Sequence, residues 1–298
     1  MESILSQPAQ MRARMRPLLQ IAAAAIPLLL VGWQWATDSV KPDNYLLQVP
    51  AVTRVGWLET QWAYFYLHLF TFLPVFALSF DKNVHYYRKW KPLLPAILLV
   101  GALFIAWDVF FTAQGVWNFN ERYFADIRLL HLPVEEWLFF LTVPFACVFI
   151  YECLNFYIKK DLLASAERWL TPLMGFGFLA VGLIYWGHLY TSTTFLLTGG
   201  FVLYHWLFLD GSYRSRFYLS YLVALLPFLL VNGVLTGGYT EQPIVLYNPE
   251  EYLGIRITSV PLDDSAYGFL LLFGIVTLFE RWRPQRSGAG VPTSIRKG

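Results

Sequence analysis

The sequence predicts an all-α integral membrane protein of about eight transmembrane helices: two parallel three-helix repeats joined by a linker helix, behind an extra N-terminal helix. Three observations carry this. The 298 residues are 57% hydrophobic and only 14% charged, with mean hydropathy +0.47, a balance foreign to a soluble domain. Eight apolar runs punctuate the chain, each near the ~20 residues that one crossing takes. Lysine and arginine are shared unevenly between the segments separating those runs.

The runs are Leu18–Ala36, Trp62–Phe80, Pro92–Ala113, Leu132–Ile158, Trp169–Gly187, Thr191–Leu209, Phe217–Leu235 and Pro261–Phe279. The first follows Arg12, Arg14 and Arg16 and has no clean small-x-small cleavage site after it, so it reads as a retained helix rather than a signal peptide. Residues 1–61 then form an N-terminal extension with one helix and a loop. Residues 62–160 form the first repeat, 161–190 the linker helix, 191–283 the second repeat and 284–298 a tail. With the N-terminus cytoplasmic, inner segments carry Arg12, Arg14, Arg16, Lys82, Arg88, Lys89, Lys91, Lys159, Lys160, Arg168, Arg214, Arg216, Arg281, Arg283, Arg286, Arg296 and Lys297. Outer segments carry Lys41, Arg54, Arg122, Arg128 and Arg256 alone. Both termini are therefore expected in the cytoplasm of a bacterial cell, with the chain in its inner membrane.

Internal echoes support duplication. Phe80-Asp81 returns as Leu209-Asp210, and Trp107-Asp108…Thr112…Gly115-Val116-Trp117 as Asn232-Gly233…Thr236-Gly237-Gly238-Tyr239. A loop then leads to Pro133-Val134-Glu135-Glu136 in one copy and Pro261-Leu262-Asp263-Asp264 in the other. Copies that start from the same side are related about an axis along the membrane normal, and sites in such folds lie between them.

The two acidic pairs open apolar runs, where ionisable residues are expensive and therefore functional candidates. Neighbours on a helix point about 100° apart, so one member of each pair faces the inter-repeat cleft. Two readings stand side by side. Pro-x-Glu-Glu is a good helix start, because proline is tolerated in the first turn and carboxylates suit the positive helix end. Alternatively, a carboxyl group sealed among Trp137, Phe139 and Phe140 stays neutral near pH 7 and can protonate a poor base such as an alkene. Ring faces and a second, ionised carboxylate would stabilise the resulting cation. Candidate catalytic residues are Glu135, Glu136, Asp263, Asp264 and Asp108, the last polarising or orienting a catalytic carboxyl. Trp107, Trp117, Phe119, Trp137, Phe140, Tyr239 and Tyr267 are candidate substrate contacts.

Other features point to bland roles. Glu152 is expected to pair with Lys159 or interfacial water. His68 and His205 lack i, i+4 partners and read as hydrogen-bonded packing residues, so no metal site is expected. Cys147 and Cys153 lie on different helix faces and read as small apolar fillers. There is no Gly-x-Gly-x-x-Gly after a strand-like run, no Walker loop, no zinc spacing and no basic tract interleaved with aromatics, and the net charge is only +2. Nucleotide-dependent activity built on those motifs and nucleic-acid binding are excluded.

Taken in order, Trp107-Asp108…Phe111-Thr112…Gly115-Val116-Trp117-Asn118-Phe119-Asn120, Leu132-Pro133-Val134-Glu135-Glu136 and Val143-Pro144-Phe145-Ala146-Cys147-Val148-Phe149 resemble the first domain of the heterodimer-type lycopene cyclases. Val231-Asn232-Gly233…Leu235-Thr236-Gly237, Pro243-Ile244-Val245…Tyr247-Asn248, Leu253-Gly254-Ile255-Arg256 and Pro261 to Tyr267 resemble the second. The resemblance runs from about Trp62 to Arg283 and implies a fused, membrane-bound carotenoid enzyme. Such an enzyme closes the ψ-ends of lycopene into β-rings, through γ-carotene to β-carotene, without net redox change and without a cofactor. Its acidic motifs fall on Glu135, Glu136, Asp263 and Asp264. Asp263 departs from the glutamate of similar proteins, which makes Glu135 the expected main acid and Asp263 or Asp264 the counter-carboxylate. Lycopene or a related carotenoid in the bilayer, membrane lipid and other carotenoid enzymes are the implied partners. Three alternatives are a cyclase of C50 or modified carotenoids, a small-solute transporter, and a structural subunit that needs a synthase partner. Nothing in the resemblance covers Met1 to about Gln61.

Overall fold

A computed structural model describes residues 6–40, 53–209 and 211–283. Eight long helices are present among them: α1 (Ser6–Thr37), α2 (Ala63–Leu78), α3 (Trp90–Gln114), α4 (Val134–Tyr157), α5 (Ala164–Ile184), α6 (Leu189–Phe208), α7 (Arg214–Leu235) and α8 (Leu262–Trp282). Five segments are long and apolar enough to cross a membrane unaided: Pro17–Thr37, Tyr86–Gln114, Val134–Tyr157, Arg214–Leu235 and Leu262–Trp282. The other three differ for visible reasons. α2 has 16 residues, α5 begins with charged residues, and the first half of α6 buries Thr191, Ser192, Thr193 and Thr194 against protein rather than lipid. Leu98, Leu103, Leu173, Ile184 and Leu226 are exposed on the outside of the bundle, the apolar perimeter of a membrane protein rather than of a soluble one.

Six short strands gather at one end: β1 (Trp117–Phe119), β2 (Arg128–Leu129), β3 (Leu132–Pro133), β4 (Val245–Tyr247), β5 (Arg256–Ile257) and β6 (Val260–Pro261). β2–β3 and β5–β6 are hairpins with two-residue turns, and Leu130, His131 and Thr258 take positive φ there, as tight hairpins require. Each hairpin delivers a proline (Pro133, Pro261) to the N-cap of an acid-bearing helix.

The duplication is visible bond by bond at an offset of 128 residues. Asn120 donates its N–H to the Ile244 carbonyl, and Asn248 donates to that of Val116; Val134 donates to Ile127, and Leu262 to Ile255. β1 and β4 pair antiparallel, Trp117 opposite Tyr247 and Phe119 opposite Val245, so the pseudo-twofold axis passes through the central pair, Asn118–Leu246. In α3 and α7 the offset is 124 residues, which matches Asp108 to Asn232. The second copy spends extra residues after Gly237, so the counterpart of Trp117 is Val245 and not Tyr239. The echo drawn between Phe80-Asp81 and Leu209-Asp210 ends on Asp210, which lies outside the described residues.

α4 and α8 form the centre. α4 packs on α2 of its own repeat and on α7 of the other; α8 packs on α6 and on α3. The repeats are thus intertwined, and their acidic helix starts are brought to one place. α5 seats against α6 through glycines: a Cβ on Gly199 would lie 2.7 Å from the Gly175 carbonyl oxygen. This is the close backbone approach that small residues permit between membrane helices. At the end opposite the strands, Glu152 meets Lys89, and Arg283 bridges Glu152 (3.2 Å) and Glu280 (2.6 Å). The expected pairing of Glu152 with Lys159 is therefore corrected: α3 and α8 bring closer cations to it than the loop does.

Candidate active site

Glu135 and Glu136 occupy the first turn of α4 and point apart. Glu135 Oε1 accepts the Ala125 N–H (2.9 Å) and so fastens the preceding loop to the helix. Glu136 turns inward, and its Oε2 accepts the Tyr64 hydroxyl (2.5 Å). The second copy repeats the division. Asp263 accepts Thr191 Oγ1 (2.5 Å) and the Leu253 N–H (3.3 Å), the counterpart of Ala125. Asp264 accepts Tyr190 (2.7 Å), Tyr247 (2.9 Å) and Asn232 Nδ2 (2.6 Å). The outer member of each pair holds a loop. The inner member faces a cavity.

That cavity lies between the repeats and is lined by Tyr64, Asp108, Trp117, Phe119, Glu136, Phe139, Tyr190, Asn232, Tyr247, Asp264 and Tyr267, with an apolar floor from Val143, Cys147, Tyr221, Phe228 and Leu272. Asp108 is a close neighbour of Glu136 in this cavity, and two buried carboxyl groups side by side favour holding a proton over ionising together. Asp108 Oδ1 accepts the Trp117 indole N–H (2.5 Å), and its Oδ2 has no hydrogen-bond partner among the described residues. In the second copy Asn232 replaces Asp108, so Asp264 is met by three donors and no second acid. Tyr247, on β4 outside the helices, has its phenol pushed well above its ordinary range by burial and then by Asp264, and so remains a donor. The twofold frame therefore holds two different groups: a pair of neighbouring carboxyl groups, Asp108 and Glu136, and a single carboxyl group met by three donors.

Of the sequence candidates, Asp108, Glu136, Asp264, Trp117, Phe119 and Tyr267 meet in the cavity. Glu135 and Asp263 do not. Their place in the first turn sets them about 100° away from their neighbours, so the expected main acid, Glu135, lies outside the cavity and Glu136 lies in it. Trp137 donates to the Leu129 carbonyl (3.3 Å), Phe140 packs against Phe104, Tyr239 covers Gly233, and Trp107 sits behind Tyr267 (4.9 Å). None of these four lines the cavity. Sequence reasoning missed Tyr64, Tyr190, Tyr247 and Asn232. Asn232 had a signal, since it stands where Asp108 stands in the other copy. Tyr247 stood in the stretch that carries the family resemblance, while Tyr64 and Tyr190 had no signal beyond their position near helix starts, where an aromatic residue ordinarily marks a membrane interface. His68 contacts Thr142 (3.0 Å), and His205 stacks on Phe273 (4.6 Å) and meets Tyr213 (2.8 Å). Cys147 and Cys153 are free thiols.

An all-α, internally duplicated membrane protein with carboxyl groups in an aromatic inter-repeat cavity defines the class. Residues 61–154 and 187–282 each match the family model described as "Lycopene cyclase", one segment per repeat, and the chain belongs to that family. Among curated proteins, the bifunctional lycopene cyclase/phytoene synthase of Phycomyces blakesleeanus is 38% identical over 79 residues. The match takes in 26% of this chain and 13% of that protein. No solved structure matches the chain.

Proposed function

We propose that this chain is a lycopene β-cyclase, an isomerase that closes the acyclic ends of lycopene from within the bilayer, through γ-carotene to β-carotene. The observation that carries this reading is the meeting of Glu136–Asp108 and Asp264 in one aromatic cavity. Glu136 gives its proton to the terminal double bond, and Asp108, oriented by the Trp117 indole, keeps that proton on the cavity face of Glu136. The tertiary cation is attacked by the neighbouring double bond of the same chain, and a six-membered ring closes. The rings of Trp117, Tyr190, Tyr247 and Tyr267 face the cavity on which positive charge develops, and Asp264 supplies the fixed negative charge. Loss of a ring proton to Asp264 ends the sequence. One proton enters and one leaves, so the product is an isomer. Glu136 then lacks a proton that Asp264 holds, and exchange within the cavity resets the pair.

The same reading places the strand-bearing end on the outer face of a bacterial inner membrane, with both termini cytoplasmic, because the basic residues concentrate at the other end. Its partners are the carotenoid itself, surrounding lipid and the enzymes that make and use the pigment. Expression in a lycopene-accumulating bacterial host tests it. The expected result is a product of unchanged mass with the shorter-wavelength absorption of a cyclised polyene. Unchanged lycopene beside a well-inserted protein would overturn it.

A further inference from the structure

Two apolar grooves flank the cavity at positions related by the pseudo-twofold axis. The first, of about 780 Å³, lies between α2, α4 and α7; the second, of about 1510 Å³, lies between α6, α8 and α3, with α1 across it. Their walls correspond residue for residue: Thr71 with Leu197, Ala146 with Gly274, Val231 with Trp107. They differ in how they meet the cavity. The first groove shares Phe139, Val143, Phe228 and Asn232 with the cavity wall, so only these side chains stand between the two spaces. The second shares no lining residue with it. There Tyr267, the counterpart of Phe139, stands against Phe104 (4.9 Å) and Trp107 (4.9 Å), a three-ring wall. Where Trp107 fills that wall, the open groove has only Val231.

α1 closes the second groove from outside. Pro27 seats on Gly200, where any Cβ would collide with its ring. Gln34 reaches Ser192 Oγ (2.5 Å) and the Trp186 carbonyl (2.6 Å), and Trp35 donates to Thr193 Oγ1 (2.9 Å). A third apolar groove, against α5 between α7 and α8, meets the cavity wall at Tyr221 alone. The β1–β4 ribbon and the hairpins roof the strand end, while the opposite end narrows to about 210 Å³ and stops at Tyr151, hydrogen-bonded to Glu280 (2.8 Å).

We propose that the α2/α4/α7 groove is the entrance through which a conjugated isoprenoid chain reaches Glu136 and Asp264, and that α1 with the Phe104–Trp107–Tyr267 wall shuts its pseudosymmetric twin. The occupant follows from the geometry together with the cyclase reading above: an end group held in the cavity leaves the rest of an apolar chain to follow the lipid-facing, almost wholly apolar groove that borders the cavity most widely. One mouth admits one end at a time. A substrate with two reactive ends must therefore withdraw and turn around between closures, and a singly cyclised product is released first.

The test uses the full chain in liposomes with lycopene, read by the induced circular dichroism of the bound polyene and by conversion. Val231→Trp gives the open groove the residue that blocks its twin, and Ala146→Trp narrows it from the facing helix. Each should lower both signals about tenfold or more, the equivalent of roughly 1.4 kcal/mol of lost binding, while Leu103→Trp in the closed groove changes neither. Membrane abundance and thermal unfolding report that each variant is folded. Binding and conversion at wild-type level in both Val231→Trp and Ala146→Trp, or their loss in Leu103→Trp, would overturn the proposal. A wild-type chain that shows induced dichroism but no conversion would sink the cyclase reading while the variants still decide the groove. No dichroism in any folded sample would sink both.

Discussion

Asp108→Asn is the substitution that separates the two halves of the site most cleanly. It gives the first repeat the arrangement that the second already has, an amide beside an acid. The Asn Oδ1 still accepts the Trp117 indole N–H, found at 2.5 Å in the native protein, and the new NH₂ can donate to Glu136 as Asn232 donates to Asp264 (2.6 Å). The polar groups thus stay paired, and the change in stability should be no more than about 1.5 kcal/mol, the net worth of one ordinary hydrogen bond. Catalysis should suffer far more. Glu136 becomes an acceptor-only carboxylate, and the proton that two neighbouring buried carboxyl groups favour holding is gone. Removing a positioned general acid slows turnover by about 10²–10⁴-fold, equivalent to about 3–5 kcal/mol on the barrier. Turnover of lycopene in proteoliposomes, normalised to folded protein, measures the loss, and thermal unfolding in detergent measures stability. Wild-type turnover from a folded Asp108→Asn protein would refute the proton held by this pair as the source of acid. A large fall in melting temperature without a rate effect would make Asp108 a structural residue only.

Further outcomes follow from the same geometry. Asp264→Asn replaces one of two acceptor oxygens by an NH₂ that faces at least one donor, so it should lose activity and destabilise the fold by about 1–3 kcal/mol; unchanged unfolding and turnover would remove Asp264 from the account. Gly182→Val would place a Cβ 2.9 Å from the Leu196 backbone nitrogen and should cost about 1–3 kcal/mol by overpacking α5 against α6; an unaltered melting temperature would contradict that packing. At the strand-bearing end, the Arg122 hydrogen bond, helped by Arg54, holds Glu241 below its ordinary value of 4.5. A carboxylate with a lowered folded-state value contributes stability above its unfolded value and loses it as pH falls through the folded one. As pH falls below that ordinary value and through the lowered one, amide exchange at Thr53 and Val55, whose N–H groups bond to the Gly238 and Tyr239 carbonyls, should quicken; exchange independent of pH after correction for intrinsic rates would count against the coupling.

Much of this architecture is legible in the chain because membrane helices announce themselves by length and apolarity, and because prolines before paired acids mark two helix starts. Duplication was legible for the same reason: Asp108…Thr112 and Asn232…Thr236 keep their spacing, as do the two acidic pairs. Which acid of each pair faces the cavity was not. That depends on the rotation of α4 and α8, which is set by contacts with α7 and α3 from the other repeat, at least 57 residues away in sequence for α4 (ending at Tyr157) and α7 (starting at Arg214). The tyrosines that complete the site are likewise contributed by neighbouring helices, α2 and α6, so no local pattern connects Tyr64 to Glu136. The place of α1 over one groove rests on its packing along α6, with Pro27 on Gly200 and polar bonds from Gln34 and Trp35, and on the stacking of Trp35 against Phe110 of α3 (4.4 Å). Nothing in residues 1–61 alone distinguishes such a cover from an ordinary anchor.

The central claim is that Glu136, and not its neighbour, is the acid. Gln at either position keeps an oxygen acceptor, so Glu135→Gln still receives the Ala125 N–H and Glu136→Gln still receives the Tyr64 hydroxyl. Measured side by side in lycopene-containing proteoliposomes, Glu135→Gln should retain most of the wild-type turnover, whereas Glu136→Gln should fall by about 10²–10⁴-fold with the protein still folded. The reverse pattern, an active Glu136→Gln beside an inactive and folded Glu135→Gln, would contradict the account.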